Sequence, residues 1–355
     1  MNEDLSPEDS FRLEVLLAQD LKAVRIDESN LVLHALTDQG EASIPLVPNC
    51  RPDKYLRLIR ELLSGHALGS PGGYPVYLSR WTRHGQMEGI NLGKLLLTGE
   101  AEAVVAVVYS PALTDELARY AWWTQPTIEN ARLMLRREAV ARGAMGRVLA
   151  EFLVEHLPFL QDDHLAIMDT VAVLLHSGTL TPTQLETTWK RGKRSNTFYV
   201  AFLEMAADKL PAPRPEHPDL ESAGIALADQ IAAGQPVALA LERALSAQGQ
   251  TFLAATAEIL ERPETQEVVT RALNAIGRYF SGGDAWPDGA DQPGRDACQS
   301  LAPRLEAAAR LARTSETPLL PIFARSTAIG SLMRRKIEPI VAPIMADIRL
   351  LLATS

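Results

Sequence analysis

Three short runs decide the fold at the amino-terminal end of the chain: Lys22-Ala-Val-Arg-Ile-Asp27, Asn30-Leu-Val-Leu-His-Ala-Leu36 and Glu41-Ala-Ser-Ile-Pro-Leu-Val47. Each alternates apolar and polar residues with the period of two that half-buried strands need. Asp27-Glu28-Ser29 and Thr37-Asp38-Gln39-Gly40 separate them. Those residue types favour tight turns, because their side chains bond the local backbone or tolerate left-handed dihedrals. The pattern predicts a small antiparallel meander.

The elements on either side read differently. Ser6-Pro7-Glu8-Asp9 is a helix start, with a capping hydroxyl, a proline in the first turn and an acid after it. Pro52 to Ser64 reads as a helix with Tyr55, Leu56, Ile59, Leu62 and Leu63 along one side. PVYLSRW (75–81) reads as a further strand and INLGKLLLTG (90–99) as a short helix. AEAVVAVVYS (101–110) is a buried element that periodicity assigns to neither class. Residues 1–110 are therefore expected to form an α+β domain.

From Ser110 onward no alternating pattern returns. Thr127-Ile-Glu-Asn130 and Thr181-Pro-Thr-Gln184 are helix starts, the second with the composition of a capping box. Leu149, Phe152, Leu153 and His156 follow a 3.6-residue period, as do Leu165, Met168, Val171, Ala172 and Leu175. The expected architecture is a mainly α-helical bundle or an irregular α-solenoid. It divides into a helical domain over 111–209, a proline-rich linker over 210–219 within KLPAPRPEHPD, and a C-terminal helical domain over 220–355. The last contains a long Gly/Pro/Asp loop at 281–295.

A chain of 355 residues exceeds what one hydrophobic core usually holds. The net charge of −9 argues against a general nucleic-acid binder, which needs a basic surface. The two cysteines, Cys50 and Cys298, form no CxxC pair and no disulfide framework, so no disulfides are expected. The start, MNEDLSPED, is acidic where a signal peptide is basic. The longest uncharged apolar run, Ala103 to Thr114, is too short to span a bilayer. A cytoplasmic protein without membrane insertion is the expectation.

The glycine-rich stretch GHALGSPGGYPVYLSRWTRH (65–84) has the composition of a phosphate loop but not its pattern. Gly65 and Gly69 are one residue too close for GxxxxGK[ST], and Ser70-Pro71 stands where Lys-Ser/Thr belongs. A tight turn explains it better, with Gly65 closing a helix and Ser-Pro-Gly-Gly supplying turn dihedrals. Arg80, Trp81 and Arg83 behind it are candidates for gripping an anionic planar ligand. Packing against a neighbouring domain is the plainer explanation for them.

Other chemistry is sparse. There is no HExxH and no GxSxG. His156, Asp162, Asp163 and His164 flank a helix–helix turn, where capping explains them without a metal. No cofactor is expected. Cys50, before a helix and beside Arg51, is the one thiol with the setting of a reactive group. Of the pair Trp122-Trp123, one ring faces a core and the other points about 100° away. Trp123 is thus a candidate partner contact, with core packing the plainer alternative. The densest basic run is Trp189-Lys-Arg-Gly-Lys-Arg-Ser-Asn-Thr-Phe-Tyr199. Its Lys190, Arg191, Lys193 and Arg194, flanked by Trp189, Phe198 and Tyr199, suit an acidic protein surface first. RNA comes second, with phosphates on the cations and bases on the rings.

Five segments carry a resemblance. They are SGHALGSPGGYPVYLSRWTRHGQ (64–86), VVAVVYSPALTDELARYAWW (104–123), ENARLML (129–135), MGRVLAEFLVEHLPF (145–159) and WKRGKRSNTFYVAFL (189–203). Over about residues 8–205 the chain resembles DsrS, the proteins encoded with the dissimilatory sulfite reductase system of sulfur-oxidising bacteria. The resemblance implies a soluble cytoplasmic accessory protein in the oxidation of stored sulfur, with other proteins of that pathway as partners. It transfers no catalytic residue, because none of these segments is a catalytic signature. A thiol-dependent sulfur-handling enzyme using Cys50, and a post-transcriptional regulator binding RNA through 190–194, are the alternatives.

Overall fold

The computed structural model describes residues 5–69, 92–160, 163–283, 286, 300–325 and 328–354. It has a three-stranded antiparallel sheet near the amino terminus, followed by helices. The α+β-then-helical architecture is therefore correct. The chain divides into two compact units, Met1–Glu155 and His156–Ser355.

In the first unit, α1 (Pro7–Leu17) leads into β1 (Leu21–Asp27), β2 (Val32–Thr37) and β3 (Gly40–Pro45). The sheet order is β1-β2-β3, with Arg25 opposite His34 and Leu33 opposite Ile44. Then come α2 (Pro52–Leu68), α3 (Leu92–Leu95) and α4 (Ala101–Tyr109), followed by α5 (Asp115–Thr124), α6 (Ile128–Leu135), α7 (Glu138–Ala141) and α8 (Ala144–His156). The apolar faces of α1 and α2 meet the sheet in one core, where Leu13, Val24, Leu33, Tyr55, Ile59 and Leu63 are fully buried. Ser6 caps α1 by accepting the Asp9 amide at 3.1 Å. The Asp9 side chain is itself buried and accepts the Tyr55 hydroxyl at 2.5 Å. Burial and that carboxylate push the Tyr55 phenol well above its ordinary range. The ambiguous run 101–110 is helical over Ala101–Tyr109. Its buried residues Ala103, Val104, Val107 and Val108 recur at helical spacing, so packing overrides the β preference of valine.

In the second unit, α9 (His164–Ser177), α10 (Pro182–Arg191) and α11 (Thr197–Met205) precede the proline-rich stretch. After it come α12 (Leu220–Ala226), α13 (Ala228–Ala232), α14 (Pro236–Leu245), α15 (Ala247–Glu261), α16 (Gln266–Ser281), α17 (Ala302–Ala312), α18 (Leu320–Phe323) and α19 (Gly330–Leu352). Helix α11 packs on α9, α15 and α16, and α17 packs on α14, α16 and α19. Proline residues leave backbone groups that need outside partners, and residues 209–219 find theirs within the unit. The Leu210 amide donates to Gln248 Oε1 (2.8 Å) and the Arg214 amide to Thr251 Oγ1 (2.8 Å). The buried His217 accepts the Asp219 amide at Nδ1 (3.1 Å) and bonds the Ala353 carbonyl through Nε2 (2.9 Å). No helix among the described residues is long and apolar enough to cross a membrane.

Candidate partner interface

The basic run is built by two helix ends. The capping box of α10 is present, with Thr181 accepting the Gln184 amide (3.3 Å) and the Gln184 side chain accepting the Thr181 amide (2.9 Å). Helix α10 ends at Arg191. Gly192 follows in the right-handed region rather than the left-handed one of a helix-closing glycine. Its glycine is required by a close approach instead: a Cβ there would lie 2.2 Å from Cδ1 of the Tyr199 ring. Glu264 then caps the start of α11 from a distant turn. Its Oε2 accepts the Ser195 hydroxyl (2.9 Å), the Thr197 amide (3.3 Å) and the Thr197 hydroxyl. Because that hydroxyl donates to Glu264, it accepts from His164 Nδ1 at 3.0 Å. The Asn196 side-chain amide donates to the Arg262 carbonyl at 2.7 Å. The loop 192–196 is thereby fastened to the turn after α15.

That fastening sorts the four cations. Lys190 faces Glu186 on its own helix, 3.4 Å away. The Arg191 guanidinium lies 6.0 Å from the Phe198 ring centroid. Lys193 and Arg194, both exposed, line an open cleft of about 330 Å³ together with Arg262, Glu258 and Glu261. The aromatic neighbours point away from it into the core. Trp189, Phe198 and Tyr199 are 9%, 7% and 4% exposed. The Trp189 ring lies tilted against Tyr199 at 4.5 Å and meets Phe202 edge-on at 5.1 Å. Burial and the charge of Glu258 push the Tyr199 phenol up to about 12. The rings are therefore closed to stacking bases, while the cations remain open to carboxylates.

Arg262 is the residue that reading the sequence missed. Its signal is a charged turn, Glu261-Arg-Pro-Glu264, between two helices. A second overlooked signal is Arg334-Arg335-Lys336 at the start of α19.

The other candidates lie elsewhere. Arg80, Trp81 and Arg83 fall outside the described residues, as do Cys298 and Asp162. Trp123 docks on the sheet of its own unit. Its Nε1 donates to Glu41 Oε2 (3.3 Å) and its ring lies 4.7 Å from the Arg25 guanidinium. Trp122 meets Phe152 edge-on at 4.7 Å. Partial burial alone would raise the Glu41 carboxyl. The Trp123 hydrogen bond and the charges of Arg25 and His34 outweigh it and hold that group below its ordinary value. Cys50 is half-buried against the α1–α2 core, with Sγ 3.8 Å from the Arg51 carbonyl. Asp163 caps α9 through the Ala166 amide (2.9 Å). Among the described residues no three His, Cys, Asp or Glu side chains converge as a metal site would need.

Gly192→Ala tests this account of the interface. The added methyl meets a rigid ring held by Trp189, so overpacking is expected to cost about 1–3 kcal/mol in urea unfolding. Wild-type stability in the variant would show that Tyr199 moves aside freely.

No protein-family model, curated protein or solved structure matches this chain.

Proposed function

We propose that this protein is a cytoplasmic accessory or regulatory protein of dissimilatory sulfur oxidation that acts by holding an acidic surface of a partner protein. The observation that carries the reading is the cleft in which Lys193, Arg194 and Arg262, three exposed cations from two helix ends, outnumber the carboxylates of Glu258 and Glu261. On a chain of net charge −9 such a patch stands out locally and suits one complementary surface. The resemblance over residues 8–205 supplies the pathway. Protein ranks ahead of RNA because the rings beside the cations are buried.

The test is capture from a lysate of a sulfur-oxidising bacterium, with captured proteins identified by mass spectrometry. Three rim charges at roughly 0.5 kcal/mol each make the triple variant K193S/R194S/R262S bind about tenfold more weakly. The control K190S/R191S, whose cations are engaged on the protein itself, is expected to bind like wild type. Equal capture by all three proteins would reject the cleft as the binding surface. Capture of ribonucleoprotein that ribonuclease abolishes would favour RNA.

A further inference from the structure

A separate opening in the His156–Ser355 unit has a lining of a different kind. Three helices end on it. Leu203 and Glu204 come from the last turn of α11, Arg243 from the last turn of α14, and Arg278 and Tyr279 from the last turn of α16. Asp208 joins them from the short helical turn Ala207–Lys209. The space is about 210 Å³. That is below the roughly 300–1,000 Å³ of sites for drug-sized molecules, so it suits a small occupant. Each helix end carries partial negative charge on its last carbonyls, so three ends together favour a cationic group. The α16 end closes through Gly282 and Gly283, with φ of +75° and +92°. Neither has a side chain, which leaves bare backbone as that part of the wall.

The charged side chains divide by how far they are already engaged. Glu204 is engaged: both its oxygens accept from Arg271 Nε, at 2.9 and 3.1 Å. Arg243 is engaged in part. Its Nη1 donates to the Tyr279 carbonyl and its guanidinium lies 5.5 Å from the Tyr279 ring centroid. Its other N–H groups make no hydrogen bond among the described residues. Arg278 is 58% exposed, and its ion pair with Glu204 is long, at 3.9 Å. Asp208 is exposed and forms no hydrogen bond or ion pair among the described residues.

A lone anion here meets the carboxylates of Glu204 and Asp208 as well as the arginines, and a lone cation meets Arg243 and Arg278 as well as the carboxylates. A molecule carrying both charges on neighbouring groups satisfies both sets. Leu203, Ala207 and Ala275 add an apolar part to the wall. The geometry points to a binding site for a small aliphatic α-amino acid. Its carboxylate is held by Arg278 and Arg243, its ammonium by Asp208 and the end carbonyls of α16, and its side chain lies against Leu203, Ala207 and Ala275. Arginine suits the carboxylate because its planar fork offers two parallel N–H donors. The opening shares no residue with the Lys193/Arg194/Arg262 cleft, so either reading stands or fails without the other.

Isothermal titration of the full chain with glycine, L-valine and L-leucine tests this. At least one of them is expected to bind with a Kd between about 10 μM and 1 mM, since few contacts are available and the charges face solvent. For the tightest of the three, two analogues are then titrated: the amine that lacks its carboxylate and the acid that lacks its ammonium. Each is expected to bind at least about tenfold more weakly than the amino acid. D208N should weaken the amino acid about tenfold without weakening the acid analogue. R278Q should weaken the amino acid and the acid analogue about tenfold without weakening the amine. Both altered side chains are exposed, and circular dichroism reports that the fold is kept. No binding of any of the three amino acids at about 10 mM overturns the proposal. An analogue that binds as tightly as its parent reduces the opening to a site for a single ion and overturns it too. So does full affinity in either variant, because the amino acid then sits elsewhere or is held by one charge alone.

Discussion

Phe252→Ala is expected to lower the stability of the second unit by about 4 kcal/mol, the cost of removing a fully buried ring whose site cannot collapse. Phe252 has no exposed surface. Its ring stacks on Tyr279 with centroids 4.0 Å apart and planes 11° apart. Phe280 meets it edge-on at 6.0 Å and Tyr279 at 5.2 Å. The three rings are in mutual contact, so the hole is bounded on these sides by flat, stiff side chains. The Tyr279 phenol is also buried, which holds it well above its ordinary pKa, and the Tyr279 backbone is tied by the Arg243 guanidinium to its carbonyl. At roughly 2–4 °C per kcal/mol for a unit of this size, thermal unfolding should fall by about 8–16 °C. Phe252→Leu keeps most of the volume and should lose less than half as much. A loss below about 1.5 kcal/mol for the alanine variant would mean that the cluster relaxes around the hole.

Arg271→Met is expected to cost about 3 kcal/mol, because it strands a buried carboxylate. Arg271 on α16 donates from Nε to both oxygens of Glu204 on α11, at 2.9 and 3.1 Å. Its Nη1 donates to Asp169 on α9 at 2.8 Å. One guanidinium thus joins three helices. Burial opposes its charge, but the bonds and charges of Glu204 and Asp169 prevail and hold its pKa above the ordinary value. The Glu204 side chain is 10% exposed, so without Arg271 it must stay unpaired or take up a proton. Arg278, 3.9 Å from Glu204, compensates only in part. The double variant R271M/E204Q, which removes both charges, should recover more than half of the loss, as urea denaturation would measure. A double variant no more stable than R271M would show that the cost lies in lost packing rather than in the stranded charge.

These expectations concern groups that local sequence does not reveal. What was legible is local. The meander was readable because alternation with period two and turn residues are written within a few positions, and the strands fall at Leu21–Asp27, Val32–Thr37 and Gly40–Pro45. The caps at Ser6, Thr127 and Thr181 were readable because a side-chain oxygen and its target amide lie three residues apart. Ala101–Tyr109 was not decidable, since a continuous apolar run fits either period until its neighbours are known.

The interface divides in the same way. Composition marked the cations at 190–194, but not which of them would be free. Lys190 and Arg191 are engaged within their own helix pair, and that depends on Glu186 and on where Phe198 packs. Gly192 was legible as a helix end, yet its reason is the Tyr199 ring seven residues on. Trp123 was legible as the ring turned away from its own helix, and only the tertiary structure supplied Arg25 and Glu41, far off in sequence, to receive it. Arg262 and Glu264 join this region from a turn about 70 residues beyond the basic run. By itself, the sequence determined the meander, the helix starts capped by Ser6, Thr127 and Thr181, and the supply of charge, because each follows from contacts between near neighbours. Which cations share a cleft and which rings close to solvent were decided by packing between helices distant along the chain, and no period or motif encodes such pairings.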